Sequence, residues 1–119
     1  MAKEYLNKLT QLIVDLKIND ETDVELKTSH FFSGAALYAN KVICASWSPA
    51  GLAFKLPQAE VTRLIANDKA KTLRYFAKGS IKKGYAMFEN PELEKAGVWR
   101  KYLISAIGNS ARMDSQVSA

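Results

Sequence analysis

Between Val24 and Leu56 the chain is cut into short apolar runs by closely spaced turn signals, and this narrows its possible folds more than any other feature. Val24 and Leu26 alternate with charged neighbours, which predicts a half-buried strand near 23–28. Phe31, Phe32, Ala35, Ala36, Leu37 and Tyr38 lead into Asn40-Lys41, and Val42 through Trp47 then runs apolar and partly β-branched. Two strands joined by a tight turn follow from that order, because asparagine tolerates the left-handed backbone such turns need. Ser48-Pro49-Ala50-Gly51 is a second turn signal, and Leu52 through Leu56 a third strand of the same meander. Runs this short and this closely joined pair antiparallel, since a parallel crossover takes a dozen or more residues.

Helical periodicity frames the meander. Leu6, Leu9, Ile13 and Leu16 recur at three and four residues, predicting an amphipathic helix over roughly 3–17. Pro57 stands where a first helical residue would, and Val61, Leu64 and Ile65 give a short stripe over 58–67. Leu73–Ala77 and Gly84–Phe88 read as two more strands. Asn90, Pro91, Glu92 and Glu94 then form a helix-start signature, with Leu93, Trp99, Leu103 and Ile107 as its buried side, Gly97 as a kink and Gly108-Asn109 as its end. The expected class is α+β: a mainly antiparallel sheet of five to six strands with helices on one face, in the order α, three to four strands, α, two strands, α. Leu9, Ile13, Ile43, Phe54, Leu64, Phe76, Leu103 and Ile107 are the expected core. One domain spans 1–110, and residues 111–119 are expected to fray.

Composition decides which chemistries remain. A chain of 119 residues suits one domain. Its single cysteine, Cys44, excludes an internal disulfide and a thiolate zinc cluster and fits a reducing, cytoplasmic setting. No apolar run of about 7–15 residues opens the chain as a signal peptide would, and none reaches about 18, so no membrane span is expected. His30 and Cys44 cannot supply the usual metal or nucleophile sets, and no glycine pattern matches a nucleotide-binding loop. The expectation is therefore a non-enzyme with no metal and no cofactor. Cys44, inside an apolar run, reads as a buried structural thiol, and His30 as a turn or strand-edge residue.

The net charge of +5 is unevenly spread: residues 1–30 sum to −2, leaving +7 for the remainder. From Lys69 to Phe88 there are six cations, Lys69, Lys71, Arg74, Lys78, Lys82 and Lys83, and no acid. Tyr75, Phe76, Tyr85 and Phe88 are interleaved with them. Cations beside aromatic rings can neutralise phosphates and stack bases, so the segment is a candidate nucleic-acid or anion-binding face. The same pattern also describes a solvated hairpin whose lysines guard a sheet edge and whose rings are core. A homodimer through a sheet edge or the N-terminal helix is a further expectation for so small a sheet.

Thr28 through Tyr38, Gly51 through Leu56, and Tyr75 through Met87 together resemble the N-terminal domain of the TfoX (Sxy) competence regulators, over roughly residues 3 to 107. The resemblance implies an α+β unit with helices on one face of an antiparallel sheet. It also implies a regulatory or interaction module in transcription control, acting through contacts with a protein partner. Weak non-specific nucleic-acid binding through residues 69–83 is the alternative. Where that family has an aromatic residue and two glycines, this chain has Ser33 before Gly34, and Ala35-Ala36 follow. Full-length members also carry a second, C-terminal helical domain.

Overall fold

In the computed structural model the described residues are 2–31, 34–73 and 82–118, with side chains described for 3–31, 34–73 and 84–110. Helix α1 (Ala2–Asp15) forms where the three-and-four spacing places it, and Leu9, Leu12, Ile13 and Leu16 turn inward. Lys17 ends it in a left-handed conformation (φ 53°), and a 3-10 turn over Ile18–Glu21 buries Ile18 completely. Four strands follow: β1 (Leu26–Phe31), β2 (Gly34–Ala39), β3 (Val42–Ser48) and β4 (Gly51–Lys55). The first strand starts later than predicted and takes in His30 and Phe31, which the sequence reading gave to the connection and the next strand. Helix α2 (Gln58–Ala66) begins after Pro57, and β5 (Lys71–Leu73), β6 (Lys82–Phe88) and helix α3 (Arg100–Ser118) complete the chain. The predicted strand 73–77 overlaps β5 at Leu73; residues 74–77, including Phe76, lie outside the described residues.

The six strands form one sheet in the order β1-β2-β3-β4-β6-β5, antiparallel at every junction. Asn40 (φ 49°) and Lys41 (φ 72°) form the tight turn between Ala39 and Val42, the two-residue left-handed loop that matches strand twist. Asn40 also ties the turn to the start of β1. Its backbone N–H donates to the Glu25 carbonyl (2.8 Å), and its Oδ1 accepts from the Glu25 N–H (3.1 Å).

A bulge in β3 accounts for one misplaced core residue. Leu37 pairs with Ala45 but Tyr38 pairs with Ile43, so Cys44 is an extra residue and the inward-outward alternation reverses there. Cys44 is thereby buried and Ile43, expected in the core, is only half-buried. Two glycines admit close backbone approach on this part of the sheet. A Cβ on Gly34 would lie 2.1 Å from the Trp47 carbonyl oxygen, and one on Gly51, whose φ is +144°, would lie 2.3 Å from that of Phe88.

All three helices contribute to one core against one face of the sheet. Leu9, Ile13, Val61, Leu64, Leu103 and Ile107 meet Leu37, Leu52, Phe54 and Ala86 there. Each of these side chains larger than alanine contributes on the order of 1.5–3 kcal/mol of hydrophobic stabilisation. Ala53, Leu73, Tyr85 and Met87 form a second buried cluster.

Helix α3 departs from expectation at both ends. Asn90 to Trp99 is not its first turns but two 3-10 turns, Pro91–Leu93 and Ala96–Trp99, and Asn90 makes no side-chain cap bond. Leu93, expected in the core, is 84% exposed. On a continued helix Leu93 would lie about 40° from Ile107 and extend the stripe of Trp99, Leu103 and Ile107; it is exposed because residues 91–99 turn in 3-10 steps and not as α-helix. At the other end, Gly108-Asn109 does not stop the helix, and the backbone of 111–118, expected as a tail, continues it. Asn109 Nδ2 donates to the Lys55 carbonyl (3.4 Å) and Ser110 Oγ to that of Ile43 (3.3 Å), which holds these turns against the sheet. Ala111, Arg112 and Met113 are then good helix formers.

Candidate functional site

Of the six cations in the predicted basic face, side chains are described for Lys69 and Lys71. Lys69 is exposed in the turn between α2 and β5. Lys71, on β5, is ion-paired to Glu89 just beyond β6 (2.9 Å), and that hydrogen bond holds its ammonium above the usual lysine range. Lys82 and Lys83 belong to β6, Lys82 opposite Leu73. Arg74 and Lys78, with Tyr75 and Phe76, lie outside the described residues. The other two rings named with this segment are core: Tyr85 is buried, and Phe88 packs within an aromatic cluster.

That cluster is the floor of a neighbouring cleft which the sequence reading missed. Phe88 ends β6 and meets Trp99 edge-on at 4.9 Å and Tyr102 at 5.1 Å, while Phe54 from β4 stacks on Trp99 (5.9 Å) and Tyr102 (5.6 Å). Such pairs add about 0.5–1.5 kcal/mol beyond their buried area. Above it opens a cleft of about 580 Å³, bounded by the end of α2, the end of β6, the two 3-10 turns and the start of α3. Leu93 and Val98 (40% exposed) form its apolar lip. Asp68, Lys69, Glu89, Asn90, Glu94 and Lys101 form the rim, with Lys101 Nζ 5.0 Å from the Tyr102 ring centre. No periodicity signals the cleft, because on a continued helix Leu93 would extend the α3 stripe.

The remaining candidate groups have structural positions. Burial pushes the Cys44 thiol up to about 12, with Lys55 opposing only in part, so Cys44 stays protonated and unreactive. His30 is exposed on the edge strand β1. Glu21 pairs with Arg100, whose guanidinium also donates to the Leu16 carbonyl, tying the start of α3 to the end of α1. Glu92 serves no helix start. It binds Lys8 (2.7 Å), which also reaches Glu4 (3.2 Å) and lies over the Tyr5 and Trp47 rings. Hydrogen bonding to Glu92 is the main cause that raises the Lys8 ammonium.

Among the described residues no group of three or more His, Cys, Asp or Glu side chains could hold a metal ion. No described helix is long and apolar enough to cross a membrane. Comparison with family models, curated proteins and solved structures finds no match to this chain.

Proposed function

We propose that the chain is a non-enzymatic interaction module that holds a protein partner at the aromatic-floored cleft, in a regulatory role of the kind the TfoX-like resemblance implies. The observation that carries this is the placement of Leu93. An apolar side chain 84% exposed, beside Val98 and over an aromatic floor, is the arrangement of an interface core before its partner arrives. The rim of both charge signs would set register and exclude unsuitable partners. The matching partner segment presents an apolar anchor flanked by polar groups.

The test compares proteins retained by the immobilised chain with those retained by a Leu93→Ser, Val98→Ser double variant of unchanged helical signal. A partner held by the first and lost from the second supports the reading; retention indifferent to the change overturns it. Direct nucleic-acid binding through Lys69, Lys71, Arg74, Lys78, Lys82 and Lys83 is the competing reading, favoured by the cation-rich segment itself. It requires duplex binding at about 50 mM salt with a log–log salt slope near −4 to −5, made shallower by about 2 when Lys82 and Lys83 become alanine.

A further inference from the structure

Independently of the cleft, we infer that β1 is a self-pairing edge: two copies of the chain join antiparallel through Leu26–Phe31 about a two-fold axis at Thr28, making one continuous twelve-stranded sheet. The argument begins with backbone direction. Glu25 exchanges its hydrogen bond with Asn40 on the β2 side, and strand alternation then turns Lys27, Ser29 and Phe31 toward β2 as well. The N–H and C=O groups of Leu26, Thr28 and His30 therefore face outward, and β1 is the sheet's outer strand. Six residues of regularly paired strand without proline or acid form an open template for another strand.

The occupant that fits is a second copy. An antiparallel neighbour must offer its own outward groups, and about an axis at Thr28 the outward set maps onto itself. Thr28 meets Thr28 of the second copy, and Leu26 meets His30. Lys27 then faces Ser29 of the copy, so no like charges are opposed. The helices leave room. Helix α1 lies chiefly over β2, with Thr10 Oγ1 3.0 Å from Thr28 Oγ1. Strands spaced about 4.8 Å apart would put β2 and its copy about 14 Å apart across the junction. Helices in contact lie about 8–10 Å apart, so the two α1 helices clear one another with space for side chains between them. Val14, 58% exposed on α1, lines a hollow with Thr10, Ile13, Leu26 and Thr28 beside this edge, and fills that space from both sides.

The experiment is sedimentation equilibrium of the full chain from about 1 µM to about 1 mM, the range in which weak self-association shows. The expected result is a concentration-dependent shift from 13.2 kDa to twice that mass. Thr28→Pro removes one outward N–H from each copy at a position where an edge strand tolerates proline, and should weaken association about thirtyfold. Val14→Lys, on an exposed helix position that leaves folding intact, places like charges across the axis and should weaken it at least about tenfold. Amide exchange gives a readout needing no variant. The Leu26, Thr28 and His30 amides should slow as concentration rises, while those of Lys27 and Ser29, already bonded to β2, stay slow throughout. A single 13.2 kDa species over the whole range overturns the inference, as does a dimer that ignores both substitutions or a β1 edge that pairs only with a different protein.

Discussion

Two halves of the helix-covered face are packed by different means. Beneath α1 the contacts are chiefly aliphatic, with Leu9, Leu12, Ile13, Leu16, Ile18 and Leu37 in one cluster and Trp47 at its margin. Beneath the start of α3 they are aromatic, and four rings, Phe54, Phe88, Trp99 and Tyr102, meet under 3-10 turns that cover them only partly. A regular helix covers its stripe, so Leu9, Leu12, Ile13 and Leu16 are buried and the hollows lie only along the margins of α1. Irregular turns holding large flat rings leave space above the rings, so the aromatic half opens into the cleft. The difference lies in the covering elements and not in the sheet, which is continuous beneath both.

The sharpest way to break this comparison is Phe54→Ala. Phe54 is fully buried and touches the other three rings, so its loss should cost about 3–5 kcal/mol in denaturant unfolding and loosen the cleft floor. Leu9→Ala in the aliphatic half should cost about 2–5 kcal/mol while leaving the near-ultraviolet signal of the Trp99 and Tyr102 rings unchanged. If that signal collapses too, the halves are one unit.

Cys44 provides a smaller test. Its folded pKa is raised from 9.0 to about 12, so the thiol is protonated in both states below about pH 9, and its burial costs nothing there. Above that pH the unfolded thiol ionises while the folded one does not, and stability falls as pH rises toward 12. By pH 10 the loss amounts to about 1.4 kcal/mol relative to a Cys44→Ala chain, measured as the difference between their unfolding curves. The native thiol should also ignore a thiol reagent at pH 8 until the protein is unfolded. The smallest effect belongs to Leu93→Ser, which should change stability by no more than about 0.5 kcal/mol because Leu93 is 84% exposed. A loss above about 2 kcal/mol would make the lip part of the core.

The meander and the first two helices were legible because their signals are local. Asn40-Lys41 specifies its turn by backbone conformation alone, and the spacing of Leu9, Ile13 and Leu16 is one helix seen from one side. What misled lies where local and tertiary preferences compete. Asn90, Pro91, Glu92 and Glu94 have the composition of a helix start, yet Glu92 is drawn to Lys8 and the chain turns in 3-10 steps to bring Trp99 against Phe88. Ile43 was placed in the core by alternation, which a single extra residue in β3 reverses, and no periodicity announces a bulge. Neighbouring lysines in sequence also give no sign of which of them is already paired. Glu89, which follows the segment, takes up Lys71 through the pairing of β5 with β6.

The two close approaches on the sheet also govern how this sequence can drift. Any side chain at Gly34 or Gly51 drives a carbon into the carbonyl of the adjoining strand, so neither position can vary without parting that pair of strands. Gly97 and Gly108 meet nothing within 4 Å, and at Gly108, inside α3, alanine should stabilise by about 0.5–1 kcal/mol. In a saturation library selected for folding, columns 34 and 51 should therefore stay glycine while column 108 drifts toward alanine. Among distant descendants of this chain, that pair of glycines, seventeen residues apart, should outlast the surface charges and most of the apolar identities around it.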